Sequence, residues 1–138
     1  MNKPKYREMK RAFVLAVICL SACLSQAQPL YQDEDTAIFR QWMQYADTGN
    51  REITQIALFF TDTPYEGGTL EGDSTERLRI NLRRLDCFTF VENVIAFHLL
   101  LQGDDPSFER FCEILQYIRY RGGILNGYLS RLHYTGEW

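Results

Sequence analysis

Between Leu85 and Leu101 the chain reads LDCFTFVENVIAFHLLL, an Asp-Cys pair leading straight into an apolar run. At 3.6 residues per turn the run is long enough for about four turns of helix. On a helical wheel with Thr89 at the origin, Glu92, Asn93 and Ala96 fall within about 60° of it, and the remaining circumference is apolar. Such a helix is expected to be buried on most of its surface and to form the core of its domain. Asp86 stands where an N-cap belongs. Cys87, about 160° from Thr89 on the wheel, is expected on the interior side at the N-terminal end, where the helix dipole favours a thiolate. Two readings of that thiol stand side by side: a nucleophile, and a small buried core cysteine.

The other cysteines and the histidines narrow the chemistry. If the apolar helix and the next one form an antiparallel hairpin, Cys87 and Cys112 are offset by about 15 Å along the axis. A disulfide needs Cα atoms within about 7 Å, so Cys112 reads as core packing. A cysteine nucleophile needs a base, usually His, and the chain has two histidines. His98 lies about 16 Å from Cys87 along a rigid helix, out of reach. His133 sits in SRLHYTGEW beside Arg131, Tyr134 and Trp138, groups that suit a binding cleft and equally a solvated loop. No Cys/His spacing suits a zinc site, and no metal or other cofactor is expected.

The first 27 residues differ from the rest. Met1 to Arg11 is basic, Ala12 to Leu24 is apolar, and Ser25-Gln26-Ala27 ends in small residues, the three-part plan of a secretory signal peptide. The apolar run falls short of the roughly 20 residues a spanning helix needs; a short buried N-terminal helix is the plainer alternative. Leu20-Ser21-Ala22-Cys23 also resembles a lipoprotein box, in which Cys23 becomes the lipidated N-terminus. The mature chain therefore begins at Gln28 or Cys23, outside the cytoplasm, in the periplasm or envelope. Five cations against Glu8 give this segment a surplus of four, so a chain of net charge −3 carries −7 over residues 28–138. That balance argues against nucleic acid as a partner.

Residues 28–138 read as one domain. Asp33 to Ala46 places Ile38, Trp42 and Tyr45 at helical spacing, with acids in the first turn. Arg51 to Thr61 repeats the pattern through Ile53, Ile56, Ala57 and Phe60. Asp62 to Gly72 is a Pro- and Gly-punctuated loop. Arg77 to Leu82 alternates Leu78, Ile80 and Leu82 with polar residues, the period of a short half-buried strand. A further helix opens at Pro106 or Ser107, turns Phe108, Phe111, Cys112, Leu115 and Ile118 to one face, and stops at Gly122-Gly123.

Pro64-Tyr65-Glu66-Gly67-Gly68 followed by Asp86-Cys87 resembles the pattern of papain-like cell-wall hydrolases of the NlpC type. More narrowly, TPYEGGTLE, ERLRINLRRLDCFTFVENVIAF, RYRGG and SRLHYTGEW are similar to the exported N-acetylmuramoyl-L-alanine amidase-like family. The resemblance implies an α+β papain-like fold with the helical part present here and much of a central antiparallel sheet missing, so that 28–138 is a partial amidase-like domain. It implies Cys87 as nucleophile, with Tyr65, Asp86, Arg131 and Tyr134 near the substrate and His133 as the base unless the base lies in sequence outside this chain. The substrates implied are peptidoglycan fragments or muropeptides. The alternatives are an inactive fragment and a peptidoglycan-binding envelope lipoprotein; the oligomeric state is left open.

Overall fold

The computed structural model describes residues 28–137. The expected signal segment, with Cys19 and Cys23, lies outside them, as does Trp138. Among the described residues four α-helices carry the architecture: α1 Asp33–Asp47, α2 Ile53–Phe59, α3 Cys87–Leu100 and α4 Phe108–Arg119. Three short 3-10 turns, Arg121–Gly123, Tyr128–Ser130 and Thr135–Glu137, punctuate the tail.

Each helix starts where its sequence supplies a cap. In α1 the Gln32 and Asp35 side chains and backbone close a capping box, and Glu52 with Gln55 does the same for α2. Ser107 accepts from the Arg110 N–H at the start of α4, satisfying a donor that the first turn otherwise leaves without a partner. α4 ends before Gly122 and Gly123, whose φ of 62° and 73° lie in the left-handed region that favours glycine.

The core is aromatic and centred on Phe97 of α3. Its ring centroid lies 4.0 Å from Trp42, 4.4 Å from Phe111, 5.6 Å from Phe60 and 5.8 Å from Phe39. These contacts tie α1, the end of α2 and α4 to one side chain. Phe97 meets Phe111, and Glu92 meets Arg119, so α3 and α4 run antiparallel, as their short connection predicts.

Two expectations are corrected. The papain-like α+β fold is not the architecture found: the described residues are mostly helical and contain no strand, only the isolated bridges Leu30↔Arg79, Tyr65↔Leu85 and Tyr120↔Arg131. The Arg77–Leu82 alternation does bury Leu78, Ile80 and Leu82, each at 2% exposure or less. Its backbone, however, pairs only with Leu30, through Leu30 N–H to Leu78 O and Ile80 N–H to Leu30 O. With side chains packed on helices and one residue as backbone partner, the segment is extended chain and not a strand of a ladder.

The second correction concerns which way α3 faces. The strip of Thr89, Glu92, Asn93 and Ala96 is buried, at 2% exposure or less, whereas Val91, Leu99 and Cys87 are exposed. Burial of the polar strip is possible because most of its groups are used internally, although Glu92 Oε1 and Asn93 Oδ1 have no hydrogen-bond partner among the described residues. Glu92 Oε2 accepts from Arg119 Nε and Nη2 at 2.9 and 2.8 Å, and Asn93 donates to Thr89 O at 2.8 Å. Arg119 in turn donates to Arg79 O, so this ion pair clamps α3, α4 and the extended segment together. The wheel defines one polar stripe, and the expectation that Cys87 faces the interior is overturned because the stripe, not the Cys87 side, is buried.

Candidate active site at the start of the third helix

Asp86 and Thr89 fix the first turn of α3 reciprocally. Asp86 Oδ1 accepts from the Phe88 N–H at 3.0 Å, the Thr89 N–H at 2.8 Å and the Thr89 hydroxyl at 2.8 Å. The Thr89 hydroxyl oxygen accepts from the Asp86 N–H at 2.9 Å. Cys87, held between them, is exposed and free. Its own N–H makes no hydrogen bond among the described residues, while those of Phe88, Thr89 and Phe90 are committed to Asp86. The site therefore offers a thiol and one open backbone donor on the same residue.

The Pro64–Gly68 loop is pinned beside it. Leu85 N–H donates to Pro64 O at 3.0 Å and Glu66 N–H to Leu85 O at 3.2 Å, which sets Tyr65 against the residue two positions before Cys87. Tyr65 is 76% exposed. Arg84 and Glu66, both exposed, close an ion pair at 2.6 Å across the same junction. From the other side, the buried carboxylate of Asp35 accepts from Leu82 N–H at 2.8 Å and Arg83 Nε at 3.1 Å, anchoring to α1 the segment that leads into Asp86.

Arg131, His133 and Tyr134 form a separate cluster. Arg131 is buried and held by Glu71 at 2.6 Å, by Glu76 at 3.6 Å and by the Tyr128 ring, whose centroid lies 4.9 Å from the guanidinium carbon. Burial works against its charge, but Glu76 and Glu71 more than offset this and raise its pKa. The His133 ring lies 4.5 Å from that of Tyr128, with Nε2 3.3 Å from Tyr128 O. The His133 backbone N–H donates to Glu137, and this bond, with Arg121 adding to it, lowers the Glu137 pKa. Tyr134 is 74% exposed. Thus Cys87, Asp86 and Tyr65 are brought together, whereas the hydrogen bonds of His133 stay within its own tail.

Sequence reasoning assigned no partner to the carboxylates that hold this frame, the buried Asp35 and Glu92 and the half-buried Glu76. A charged residue at a helix position flanked by large apolar ones is the signal that could have found Glu92, because such a site is tolerated only with a partner. Cys112, by contrast, is core as expected, and burial pushes its thiol up to about 12. Among the described residues no three His, Cys, Asp or Glu side chains converge as a metal site.

The family model for AmiA-like, N-acetylmuramoyl-L-alanine amidase-like proteins matches residues 55–138, which include Tyr65, Asp86, Cys87, Arg131 and His133 but not Asp35. The chain belongs to this amidase-like family of cell-wall hydrolases. A solved N-acetylmuramoyl-L-alanine amidase from Bacteroides uniformis is similar at 41% identity and a TM-score of 0.59, over 66% of this chain and 38% of that one. A Bacteroides fragilis structure with a provisional xylanase designation is 46% identical, TM-score 0.54, over 60% of this chain and 36% of that one. A Legionella pneumophila protein of the DUF1460 family is 28% identical, TM-score 0.57, over 74% of this chain and 34% of its own. The chain thus spans well under half the length of these structures. No curated protein matches it.

Proposed function

We propose that the protein cleaves an amide in peptidoglycan fragments or muropeptides with Cys87 as the nucleophile. The observation that carries this reading is the exposed thiol at the first position of α3, beside an uncommitted N–H and within a rigid capping box. The thiolate adds to the amide carbonyl carbon, and the developing oxyanion is met by the Cys87 N–H. The C–N bond then breaks and the amine departs with a proton. Water hydrolyses the thioester, releasing the acid and restoring the thiol. Its other partner, Asp86, acts by fixing the first turn, while Tyr65 and Tyr134 present exposed rings to substrate. Arg131 orders the loop that it pairs with. His133 is the base in this chain under this reading.

The test is an acid quench during turnover of an N-acetylmuramoyl-L-alanyl peptide, followed by peptide mapping. A muramoyl adduct on the Cys87 peptide is the expected result; an adduct on any other residue overturns the assignment. A second reading, binding without turnover, is favoured by the engagement of His133 with Tyr128 in place of Cys87. Under it, muropeptides bind and no amine is released. We also propose export through residues 1–27, ending at Gln28 or in a lipid anchor on Cys23. Labelled palmitate on wild type but not on Cys23→Ser supports the anchor.

A further inference from the structure

Asp35 is one of three acids in the first turn of α1, and it is unlike the other two. Asp33 and Glu34 are exposed, whereas Asp35 is fully buried. A carboxylate that only caps a helix needs neither burial nor a second set of partners. Asp35 has both. Its Oδ2 accepts from the Gln32 N–H at 2.8 Å and closes the capping box, while Oδ1 accepts from the Leu82 N–H at 2.8 Å and from Arg83 Nε at 3.1 Å. We propose that Asp35 is a positioning residue for the reaction, acting from α1 to set the spacing between Tyr65 and the Cys87 thiol; this rests on the Cys87 reading above.

The backbone of residues 82–86 carries the argument. The Leu82 N–H goes to Asp35, and those of Arg83 and Arg84 go to Asn81 Oδ1, each at 3.1 Å. Leu85 donates to Pro64 O, and Asp86 donates to the Thr89 hydroxyl at 2.9 Å. Five consecutive N–H groups are thus committed, and that of Cys87 is the first left open among the described residues. The Asn81 bonds are local and move with the segment. The Leu85 bond leads to residues 64–68, all exposed, and the Asp86 bond stays within the first turn of α3. Of the five, the Leu82 bond alone reaches α1, whose Phe39, Trp42 and Ala46 are buried in the core.

Leu85 transmits that anchor to the site. Its N–H holds Pro64 O at 3.0 Å and its O holds the Glu66 N–H at 3.2 Å, so the loop bearing Tyr65 follows residue 85. Cys87 is fixed separately, by the Asp86–Thr89 capping box and by the packing of Phe97 in the same helix. Loss of Asp35 therefore moves Tyr65 against a thiol that stays in place. Asp35 also stands outside residues 55–138, the span that the family model matches.

The experiment compares wild type, as the full chain, with two variants. Asp35→Asn offers one acceptor oxygen and cannot serve both the Gln32 donor and the Leu82–Arg83 pair; Arg83→Leu leaves the cap of α1 intact. In both, the Leu85 and Glu66 amides should exchange with solvent about ten-fold faster, with the amides around Phe97 unchanged. KM for an N-acetylmuramoyl-L-alanyl peptide should rise about ten-fold, while kcat and the rate of Cys87 alkylation by iodoacetamide stay within about two-fold of wild type. Unchanged exchange at Leu85 and Glu66 in both variants, equal acceleration throughout α3, or a loss confined to kcat overturns the proposal. Turnover that persists in Cys87→Ala sinks the nucleophile assignment instead, and exchange at Leu85 and Glu66 then decides whether Asp35 holds the Tyr65 loop.

Discussion

At the scale of single residues, Cys87 and Cys112 show how position separates two identical side chains. Cys87 begins a capped helix in the open; Cys112 is 5% exposed on the inner face of α4. Iodoacetamide at pH 8 should therefore modify Cys87 and spare Cys112 until the protein is denatured, as read by peptide mass mapping. Alkali tests the same burial through stability. The Cys112 thiol rises from an ordinary 9.0 to about 12 on folding, so above about pH 9 the unfolded chain loses this proton first. Stability should fall as pH climbs from about 9 towards about 12. Burial and the hydrogen bond to Glu76 raise the Tyr120 pKa too, which extends the loss in the same direction. Thermal midpoints across this range check the sign. Asp86 makes a sharper residue-level prediction: Asp86→Ala removes the acceptor for two backbone N–H groups and the Thr89 hydroxyl, which should cost about 1–2 kcal/mol in denaturant melts.

At the scale of the elements, α3 carries the lesson about what a sequence discloses. Its extent, its Asp86 cap and its place at the centre of the core follow from LDCFTFVENVIAFHLLL, because capping chemistry and apolar periodicity are local. Its orientation does not, because the sides of a nearly all-apolar helix are distinguished by partners distant in sequence. Arg119, 27 residues away from Glu92, makes the polar strip a buried side, and Cys87, expected on the interior side, faces outward. Likewise the Arg77–Leu82 alternation reveals burial but not the lack of a neighbouring strand. Glu92→Ala should accordingly cost about 3–5 kcal/mol, since it strands a buried guanidinium. Leu99→Gln, at a position 43% exposed, should stay within about 0.5 kcal/mol of wild type. Equal effects in urea melts would mean that α3 faces the other way.

At the scale of the molecule, one aromatic core and a few buried carboxylates hold the frame on which the candidate site stands. Phe97→Ala, which removes the ring shared by Trp42, Phe60 and Phe111, should cost about 3–5 kcal/mol. Family membership was legible from short motifs because Pro64–Gly68 and Asp86-Cys87 meet through the Tyr65↔Leu85 bridge. The relation of His133 to Cys87 was not, since it depends on how the tail after Gly123 is held, and Tyr128, Arg131 and Glu71 hold it. Every proposed step at the site turns on Cys87 as the attacking group. Release of the alanyl peptide from an N-acetylmuramoyl-L-alanyl substrate, measured for wild type and for Cys87→Ala of equal thermal midpoint, tests it directly. Turnover by wild type and a loss of at least about 1,000-fold in the variant, the scale expected when a nucleophile is removed, is the predicted result; equal rates would contradict it.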